Sequence, residues 1–424
     1  MTSRERVIRA LAHQEPDRVP IDLGSLPVTG IMVTTYAKLR RELGSNDKPP
    51  KVSELIQMLG EVEVPVLDKL GCDVVGLTPV TGAFGIPHRN WKPWRTFEGT
   101  EVLVPGQFNY RVDENGDLLL SPGGNTGKPP SGRMPKGGYY FDIITRQQPF
   151  DWDRLDPDEF AEQFTGLSDE ELESIQAMAD DVYRNTDFAI MGGFGEGSLG
   201  DLPKVLAPEL KSPKGIRNFD DWMVAHLTHP EYIREVFARQ TEQAIKNLEL
   251  YRQAVGDRIA VVYMSGTDFG TQRGEFMSPD LYRELYMPFH KQMNDWVHTH
   301  TNWKTFYHCC GSIYRLIPNF IEAGVDVLNP VQCSAADMDP ERLKRDFGDQ
   351  IVFWGGGVDT QRTLPFGTPE EVRGEAAERI RIFGPGGGYV FNPIHNVQAK
   401  TPIDNVLAMF EAAREFGSYP IACA

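Results

Sequence analysis

The feature that most constrains the fold is a series of eight short apolar segments along the chain. They read "VPID", "DVVGL", "FAIMGG", "IAVVYMSG", "TFYHCC", "VDVLNPVQ", "IVFWGGG" and "YVFNPI". In the second half of the chain, amphipathic helical patterns alternate strictly with these segments, which predicts parallel strands joined by crossover helices. Eight repeats favour a closed (β/α)8 barrel of the TIM type over an open doubly wound sheet. No Gly-rich dinucleotide fingerprint follows the first strand, which lowers the open alternative further.

Residues 88–186 interrupt this alternation. Their first part alternates and turns like a β meander, with "ENGD" as a hairpin signal, and residues 151–186 are acidic with a helical pattern. We therefore expect one barrel domain over residues 1–424 with an insertion at 88–186 after the second strand. Just before the second strand, "VSELIQMLGEVEVPVLDKLG" (52–71) is predicted to be helical.

Charge and cysteine usage exclude several classes of protein. The net charge of −17 argues against nucleic-acid binding and against an anionic membrane surface, because both partners need a basic face. The sequence shows neither a signal peptide nor a run of 18 apolar residues, so we expect no membrane span. Five cysteines, odd in number and clustered late, indicate a reduced, cytoplasmic protein in which cysteines more often serve metal binding or catalysis.

Polar side chains gather where the predicted strands end, which is where barrel enzymes carry their active sites. In chain order, these residues are Asp268 and Gln272 after the fourth strand, His308, Cys309 and Cys310 at the fifth, Gln332 and Cys333 at the sixth, Asp359 after the seventh, and Asn392, His395, Asn396 and Gln398 after the eighth.

The segment "TFYHCC" suggests a metal site. Side chains alternate along a strand, so His308 and Cys310 share one face and Cys309 lies on the other, packed as a small apolar residue. An imidazole and a thiolate on one face can both reach a tetrahedral Zn²⁺. A further ligand must come from elsewhere, with His395 the leading candidate and Cys333 the next. The alternative is that His308 and Cys310 are ordinary core or hydrogen-bonded residues, as a lone His-x-Cys pair often is.

The remaining strand-end residues are candidates for catalysis or substrate binding. We assign Asp268 and Asp359 to catalysis, although Asp268 equally suits a helix cap and Asp359 a tight turn beside three glycines. His395 alone would also suit a general base. Gln272, Gln332, Asn392 and Gln398 are the candidates for substrate binding.

Several long stretches resemble the uroporphyrinogen decarboxylase superfamily. They are "ERVIRALAHQEPDRVPID", "TDFGTQRGEFMSPDLYRELYMPFHKQMNDWVHTH", "HCCGSIYRLIPNFIEAGVDVLNPVQ", "DPERLKRDFGDQIVFWGGGVDTQ" and "PGGGYVFNPIHNVQ". The resemblance covers nearly the whole chain and is most specific in its second half. It is closest to the branch of corrinoid-dependent methyltransferases, and it implies the same (β/α)8 barrel.

The resemblance also has consequences for the site. Porphyrinogen decarboxylases carry an Arg-rich segment after the first strand that holds the substrate's carboxylates, whereas this chain has "IDLGSLPVTGIMV" there, without arginine. The zinc methyltransferases join a His-x-Cys pair to a late cysteine near the eighth strand. Here His308 and Cys310 match the pair, His395 stands at the late position, and Gln332 and Cys333 lie near where related cobalamin-independent methionine synthases place a further ligand.

From these observations we expect a zinc-dependent methyltransferase. It would move a methyl group between a small methoxy or methylthio compound, as in O-demethylation, and the corrinoid of a separate protein, because the chain has no Asp-x-His-x-x-Gly segment. One alternative is a cofactor-free decarboxylase of the uroporphyrinogen type, which needs cationic side chains at the barrel mouth. Another is a non-catalytic barrel that binds a corrinoid or small ligand. The resemblance also implies a homodimer.

Overall fold

Seven parallel strands form the central curled sheet of the computed structural model, which describes residues 1–45 and 47–421. Each strand pairs with the next one along the chain. We call them the second to eighth barrel strands; they are Val74–Gly76, Ala189–Gly193, Val261–Ser265, Lys304–His308, Val327–Asn329, Val352–Trp354 and Tyr389–Val390.

The extended segment 19–23 closes this sheet into a barrel. On one side, the backbone N–H of Asp22 donates to the carbonyl of Phe391, and Phe391 N–H donates to the carbonyl of Pro20. On the other side, Asp73 N–H donates to the carbonyl of Ile21. Segment 19–23 therefore lies between the eighth and second strands, and the predicted TIM-type (β/α)8 barrel is confirmed.

Helices surround the barrel. Fifteen α-helices are assigned among the described residues: Ser3–Leu11, Val33–Glu42, Val64–Leu70, Pro157–Ala161, Asp169–Asn185, Leu202–Leu206, Phe219–Thr228, Pro230–Val255, Pro279–Leu285, Met287–His300, Ile317–Glu322, Pro340–Phe347, Thr363–Phe366, Pro369–Phe383 and Ile403–Phe416. Short 3-10 turns occur at Pro27–Thr29, Ala83–Gly85, Pro122–Gly124, Trp152–Arg154 and Gly256–Arg258. No helix in the described part of the chain is long and apolar enough to span a membrane.

Antiparallel strands lie between the second and third barrel strands. They form the hairpins Thr81–Gly82 with Ile86–Pro87 and Lys92–Arg95 with Glu101–Val104, and the sheet Tyr110–Val112, Leu118–Leu120, Gly132–Met134 and Asp142–Ile143. The "ENGD" turn joins Tyr110–Val112 to Leu118–Leu120, as its residues predict. These strands have their own core, which includes Phe84, Phe108 and Phe141.

The segment 52–71 differs from its prediction. Instead of one helix, it forms a hairpin of Val52–Glu54 and Leu59–Gly60 and then a short helix, Val64–Leu70. Val52 and Leu59 are buried in the core of the antiparallel strands, and Gly60 lies against the ring of Tyr36. Tertiary packing therefore overrides the helical periodicity of this stretch.

A buried carboxylate secures the base of the barrel. Asp73, fully buried, accepts hydrogen bonds from Arg6 Nη1 at 2.6 Å, Arg18 Nη1 at 2.8 Å and the backbone N–H of Ile21 at 2.8 Å. Ser3 Oγ donates to the same carboxylate at 2.7 Å. One side chain thus ties the first helix and the closing segment to the second strand.

Replacing this carboxylate should cost much of the protein's stability. We expect Asp73→Asn to lower the free energy of unfolding by about 3–5 kcal/mol, because it leaves two arginines short of their buried counter-charge. Asp17→Asn is the matched control, since Asp17 pairs with the same Arg6 at 2.7 Å but its side chain is 43% exposed. The control should cost at most about 1 kcal/mol. Urea unfolding of both variants measures the difference, and equal losses would contradict the assigned role.

A second carboxylate, with 16% of its side chain exposed, should make the stability of the fold sensitive to acid. Burial opposes ionisation of Asp326, but hydrogen bonds from His298, the Thr305 backbone and Lys304 outweigh it and lower its pKa to about 2. The ordinary pKa of an unfolded aspartate is about 3.9, so this carboxylate stabilises the fold above that pH and loses its effect as pH falls toward 2.

We therefore expect Asp326→Asn to lower the free energy of unfolding by about 2 kcal/mol at pH 7. The difference from wild type should become smaller as pH falls. Asp295→Asn, which removes an exposed carboxylate from the helix that also carries His298, should follow the wild-type curve. Unfolding free energies between pH 7 and pH 3 test this expectation. A deficit that stays constant with pH would show that the charge of Asp326 is not the cause.

Candidate metal centre at the barrel mouth

Three predicted ligands meet at the carboxyl end of the barrel. His308, Cys310 and His395 each offer a donor atom, and these atoms all lie within 4.8 Å of one another. Cys310 Sγ is 3.2 Å from His308 Nε2, and the rings of His308 and His395 have centroids 5.8 Å apart. His308 is the last residue of the fifth strand, while His395 comes from the loop that follows the eighth.

Asn329 fixes the tautomer of His308. The two residues are register partners on the fifth and sixth strands. The Asn329 amide nitrogen donates to the carbonyl of Trp354 at 2.8 Å, so its oxygen faces His308 Nδ1 at 2.5 Å and accepts from it. His308 Nδ1 therefore carries the proton, and the lone pair of Nε2 points toward Cys310.

A further contact links this arrangement to the closing segment of the barrel. The Trp354 indole N–H donates to Asp22 Oδ2 at 3.0 Å. Burial raises the pKa of Asp22 to about 6, although hydrogen bonds from Ser25 and Trp354 oppose the rise. Four neighbouring elements of the barrel thus support the orientation of one imidazole.

The donor set fits Zn²⁺. Zinc prefers nitrogen and sulfur ligands at about 2.0–2.3 Å, which places tetrahedral ligand atoms about 3–4 Å apart. Burial, followed by the charge of His308, lowers the pKa of His395 to about 4, so its imidazole is neutral and able to bind a metal. Burial and the charge of Asp268 raise the pKa of the Cys310 thiol, a shift that a bound cation would reverse.

Two further late cysteines, Cys309 and Cys333, lie apart from this cluster, while Cys423 is outside the described residues. Cys309 is buried in the main core and its Sγ accepts the N–H of Phe269 at 3.3 Å. Cys333 lies beside Gly356, near Glu375 and Arg379, and burial raises its pKa to about 12. The structure therefore does not bring Cys333 to the cluster of His308, Cys310 and His395.

The predicted acidic and amide residues divide into two groups, of which the first contacts the turn after the fifth strand. Asp268 Oδ1 accepts the backbone N–H of Cys310 at 2.6 Å, and Gln332 Oε1 accepts that of Gly311 at 2.8 Å. Gly311 has a φ of +90°, and a Cβ there would lie 2.5 Å from the backbone of Gly270, so the turn requires glycine. Asp268 and Gln332 therefore shape the turn that presents Cys310.

The second group comprises Asp359, Asn392 and Gln272. Asp359 Oδ1 accepts the N–H of Gln361 at 2.7 Å and forms a turn. Asn392 donates to the carbonyl of Asp22 at 3.0 Å, leaving its buried Oδ1 without a partner among the described residues. Gln272 has an exposed side chain.

Hydrogen bonds hold the loop that carries His395. Asn396 Oδ1 accepts the N–H of Gly30 at 2.6 Å, and Asn396 Nδ2 donates to Gln57 at 3.0 Å. Gln398 Oε1 accepts from the hydroxyl of Tyr140 at 2.6 Å. Because Tyr140 belongs to the stretch between the second and third barrel strands, that stretch anchors the loop of the third candidate ligand.

Sequence reasoning missed three residues near the site. Asn329, just described, ends the sixth strand. Asp201 follows the third strand, and burial together with the charge of Asp268 raises its pKa to about 7. Tyr263 lies on the fourth strand, and burial, then Asp201 and Asp268, raise its pKa. Asn329 ends a barrel strand and Asp201 lies in the loop after one, like the other candidates. This position is the sequence signal that could have identified them.

Removing the amide of Asn329 should weaken metal binding without unfolding the protein. We expect Asn329→Ala to reduce zinc affinity about 10–100-fold, because His308 loses the partner that fixes its tautomer. Competition with a chromophoric chelator measures the affinity. Asn294→Ala is the matched control, since buried Asn294 makes similar hydrogen bonds to Ala323 and Tyr307 away from His308. Equal affinities in the two variants would contradict this role.

Comparisons with known proteins agree with the fold. A solved structure, a methyltransferase from Methanosarcina mazei, is 17% identical and covers 98% of this chain and 99% of its own, with a TM-score of 0.56. Uroporphyrinogen decarboxylase from Coxiella burnetii (strain Dugway 5J108-111) is 26% identical over 152 residues, which are 34% of this chain and 38% of the relative. The same-named protein of Pseudoalteromonas translucida is 32% identical over 75 residues, 18% of this chain and 20% of its own.

The matched segments thus span less than two fifths of the length of these curated relatives. The family model described as uroporphyrinogen decarboxylase (URO-D) is more extensive. It matches residues 203–416, which are just over half of the chain and include His308, Cys310 and His395. This chain belongs to the uroporphyrinogen decarboxylase family.

Proposed function

We propose that this chain is a zinc-dependent methyltransferase. It would transfer a methyl group between a small methoxy or methylthio compound and the corrinoid of a separate protein. The observation that carries the proposal is the cluster of His308, Cys310 and His395, whose donor atoms lie within 4.8 Å of one another at the barrel mouth. Barrel enzymes place their chemistry at this end of the strands.

His308, Cys310 and His395 would hold the metal. Bound Zn²⁺ would supply a Lewis acid that polarises the heteroatom bearing the methyl group or holds a thiolate that accepts it. Three protein ligands leave a fourth position for substrate, as in other catalytic zinc sites. Asn329 keeps the lone pair of His308 Nε2 directed toward Cys310, where the metal would lie.

The neighbouring carboxylates would position groups and handle protons. Asp268 holds the backbone N–H of Cys310 and so fixes where the thiol lies. Asp201, with a pKa raised to about 7, is suited to exchange the proton of the substrate's heteroatom near neutral pH. Asp359 caps the turn at Gln361, and we assign it a structural part.

The alternative decarboxylase function has less support from the residues at the mouth. The sequence relatives are named decarboxylases, whereas the solved structure of like fold is named a methyltransferase. Fold and family do not decide between these activities. A porphyrinogen decarboxylase needs cations for its substrate's carboxylates, and the cavity beside the cluster has neither lysine nor arginine among its described lining residues. The metal-capable cluster therefore favours methyl transfer.

The corrinoid would be carried by a partner that docks at the barrel mouth, because the sequence has no Asp-x-His-x-x-Gly segment. A partner-borne cofactor must approach His308 and Cys310 closely enough for direct methyl transfer. The open carboxyl end of the barrel is the side on which these residues lie. The second alternative, a barrel that binds a corrinoid or small ligand without turnover, predicts the same docking but no methylated product.

Metal content tests the proposal directly. Protein purified without a metal-binding tag should contain about one zinc per chain by elemental analysis. His308→Ala and Cys310→Ala should each lose it, and His395→Ala should bind it at least about tenfold more weakly, because each removes one donor. Cys309→Ala and Cys333→Ala are matched controls that remove a nearby thiol and should keep the metal.

Zinc-loaded protein should then demethylate a methoxy compound in the presence of reduced cobalamin. The change in the cobalamin absorption spectrum measures this reaction.

Absence of zinc from wild-type protein, or its loss in Cys333→Ala with retention in His395→Ala, would contradict the assigned ligand set. Zinc binding without any methylated cobalamin across methoxy and methylthio compounds would favour the ligand-binding alternative. Release of CO₂ from an added aromatic or tetrapyrrole acid would favour the decarboxylase.

A further inference from the structure

A cavity of 360 Å³ lies near the cluster, although His308, Cys310 and His395 are not among its lining residues. Tyr263, on its wall, lies near Asp201, Asp268 and Cys310, whose charges all raise its pKa. Gly30, on another wall, donates to Asn396, the neighbour of His395. The cavity thus touches the surroundings of the cluster through two of its walls, and it is the natural place for the body of a methylated substrate.

The walls of this cavity are largely apolar. Leu26, Pro27, Leu59, Leu77, Ala83 and Ile175 supply them. A cavity of about 150 Å³ already holds benzene, so this one has room for a substituted ring.

Glu54 is the one carboxylate among the described residues that line the cavity. Its two oxygens accept the backbone N–H groups of Ile56 at 2.7 Å and Gln57 at 2.6 Å, which fixes the carboxylate in the hairpin turn. Each carboxylate oxygen can accept a second hydrogen bond. Burial raises the pKa of Glu54, whereas these two backbone hydrogen bonds favour its ionised form. Glu54 therefore presents a fixed hydrogen-bond acceptor to the cavity, and when ionised it carries a negative charge.

The other polar groups on the walls add acceptors rather than cations. Ser25 Oγ donates to Asp22, and Ser53 Oγ donates to the carbonyl of Leu59. Each hydroxyl oxygen therefore keeps lone pairs that can accept a hydrogen bond. His88 Nδ1 donates to the carbonyl of Pro79, and burial lowers the pKa of its imidazole, which keeps it neutral. Among the described residues that line this cavity, an anionic ligand would find no lysine or arginine.

We propose that the substrate of this site is a small, non-anionic compound with an apolar body that donates a hydrogen bond to Glu54. This inference rests on the proposed methyltransferase function and names its substrate class. A phenolic hydroxyl and a protonated amine both supply the donor. A carboxylated, sulfonated or phosphorylated compound of the same size is disfavoured by the charge of Glu54 at close range. Glu54 is therefore a specificity-determining residue.

Isothermal titration of the full-length protein, as purified with its metal, tests this inference with four ring probes of one size. They are 2-methoxyphenol, 2-methoxybenzylamine, methoxybenzene and 2-methoxybenzoate. The phenol or the amine should bind about tenfold more tightly than methoxybenzene, because only they donate to Glu54. The benzoate should bind more weakly than methoxybenzene, because it brings a second negative charge into the cavity. The relative affinities of phenol and amine tell which donor the site takes.

Variants separate the charge of Glu54 from its shape. Glu54→Gln should bring the phenol's affinity close to that of methoxybenzene and should raise the affinity for the benzoate about tenfold. Glu54→Asp keeps the charge and should retain discrimination against the benzoate. Glu114→Gln is the matched control, because it removes an exposed carboxylate in the "ENGD" turn, away from the residues that line the cavity. This variant should bind all four probes like wild type. Circular dichroism confirms that each variant is folded.

Wild-type protein that binds 2-methoxybenzoate as tightly as 2-methoxyphenol, or that binds neither donor probe at millimolar concentration, overturns the inference. The benzoate result would direct attention to the adjoining 890 Å³ cavity, where Lys51 is found. Because binding is the readout, the two proposals fail separately. The ranking of probes can hold in a protein without zinc, and zinc with methyl transfer can be found in a protein that prefers the anion.

Discussion

The buried carboxylate of Asp73 is the interaction on which the barrel depends. It sits at the start of the second strand and binds two arginines and the backbone N–H of Ile21, so the closing segment 19–23 has a fixed place between the two edges of the sheet. A buried charge is costly unless several donors satisfy it, and here four groups from the first helix and from residues 18–21 do so. Without this closure, the loops after the first and eighth strands would not lie opposite those after the fourth and fifth.

Closure is what turns separate strand ends into a site. His308 ends the fifth strand and Cys310 lies in the turn that follows it, but His395 reaches them only because the eighth strand returns beside the first. The orientation of His308 then depends on its neighbours across the sheet, through the amide of Asn329 and the indole of Trp354. The geometry of the cluster is therefore a property of the barrel as a whole, and its chemistry needs few residues beyond those that hold the barrel together.

Much of this could be predicted from the sequence. The eight strands were recognisable because parallel strands are short, apolar and separated by amphipathic helices. Strand alternation predicts that His308 and Cys310 lie together, although in the structure the fifth strand ends at His308 and the following turn presents Cys310. The sequence favours His395 over Cys333 as the further ligand but does not exclude Cys333, because the position of that thiol depends on side-chain direction after the sixth strand. There, Gln332 turns inward to Gly311 while its neighbour Cys333 turns outward toward Arg379. The hairpin at 52–60 was missed because its burial comes from antiparallel strands far along the chain, and with it the cavity residue Glu54.

The hydrogen bond between Tyr140 and Gln398 gives the cluster two parts of different origin. His308 is fixed by the fifth strand and its pairing, and Cys310 by the turn that follows it. The loop that carries His395 is held by Gly30 and Gln57 as well as by Tyr140, so part of its support comes from the antiparallel strands outside the barrel. A change in those strands would therefore shift His395 without disturbing the sheet that holds His308, and it would alter the separation of the two imidazoles.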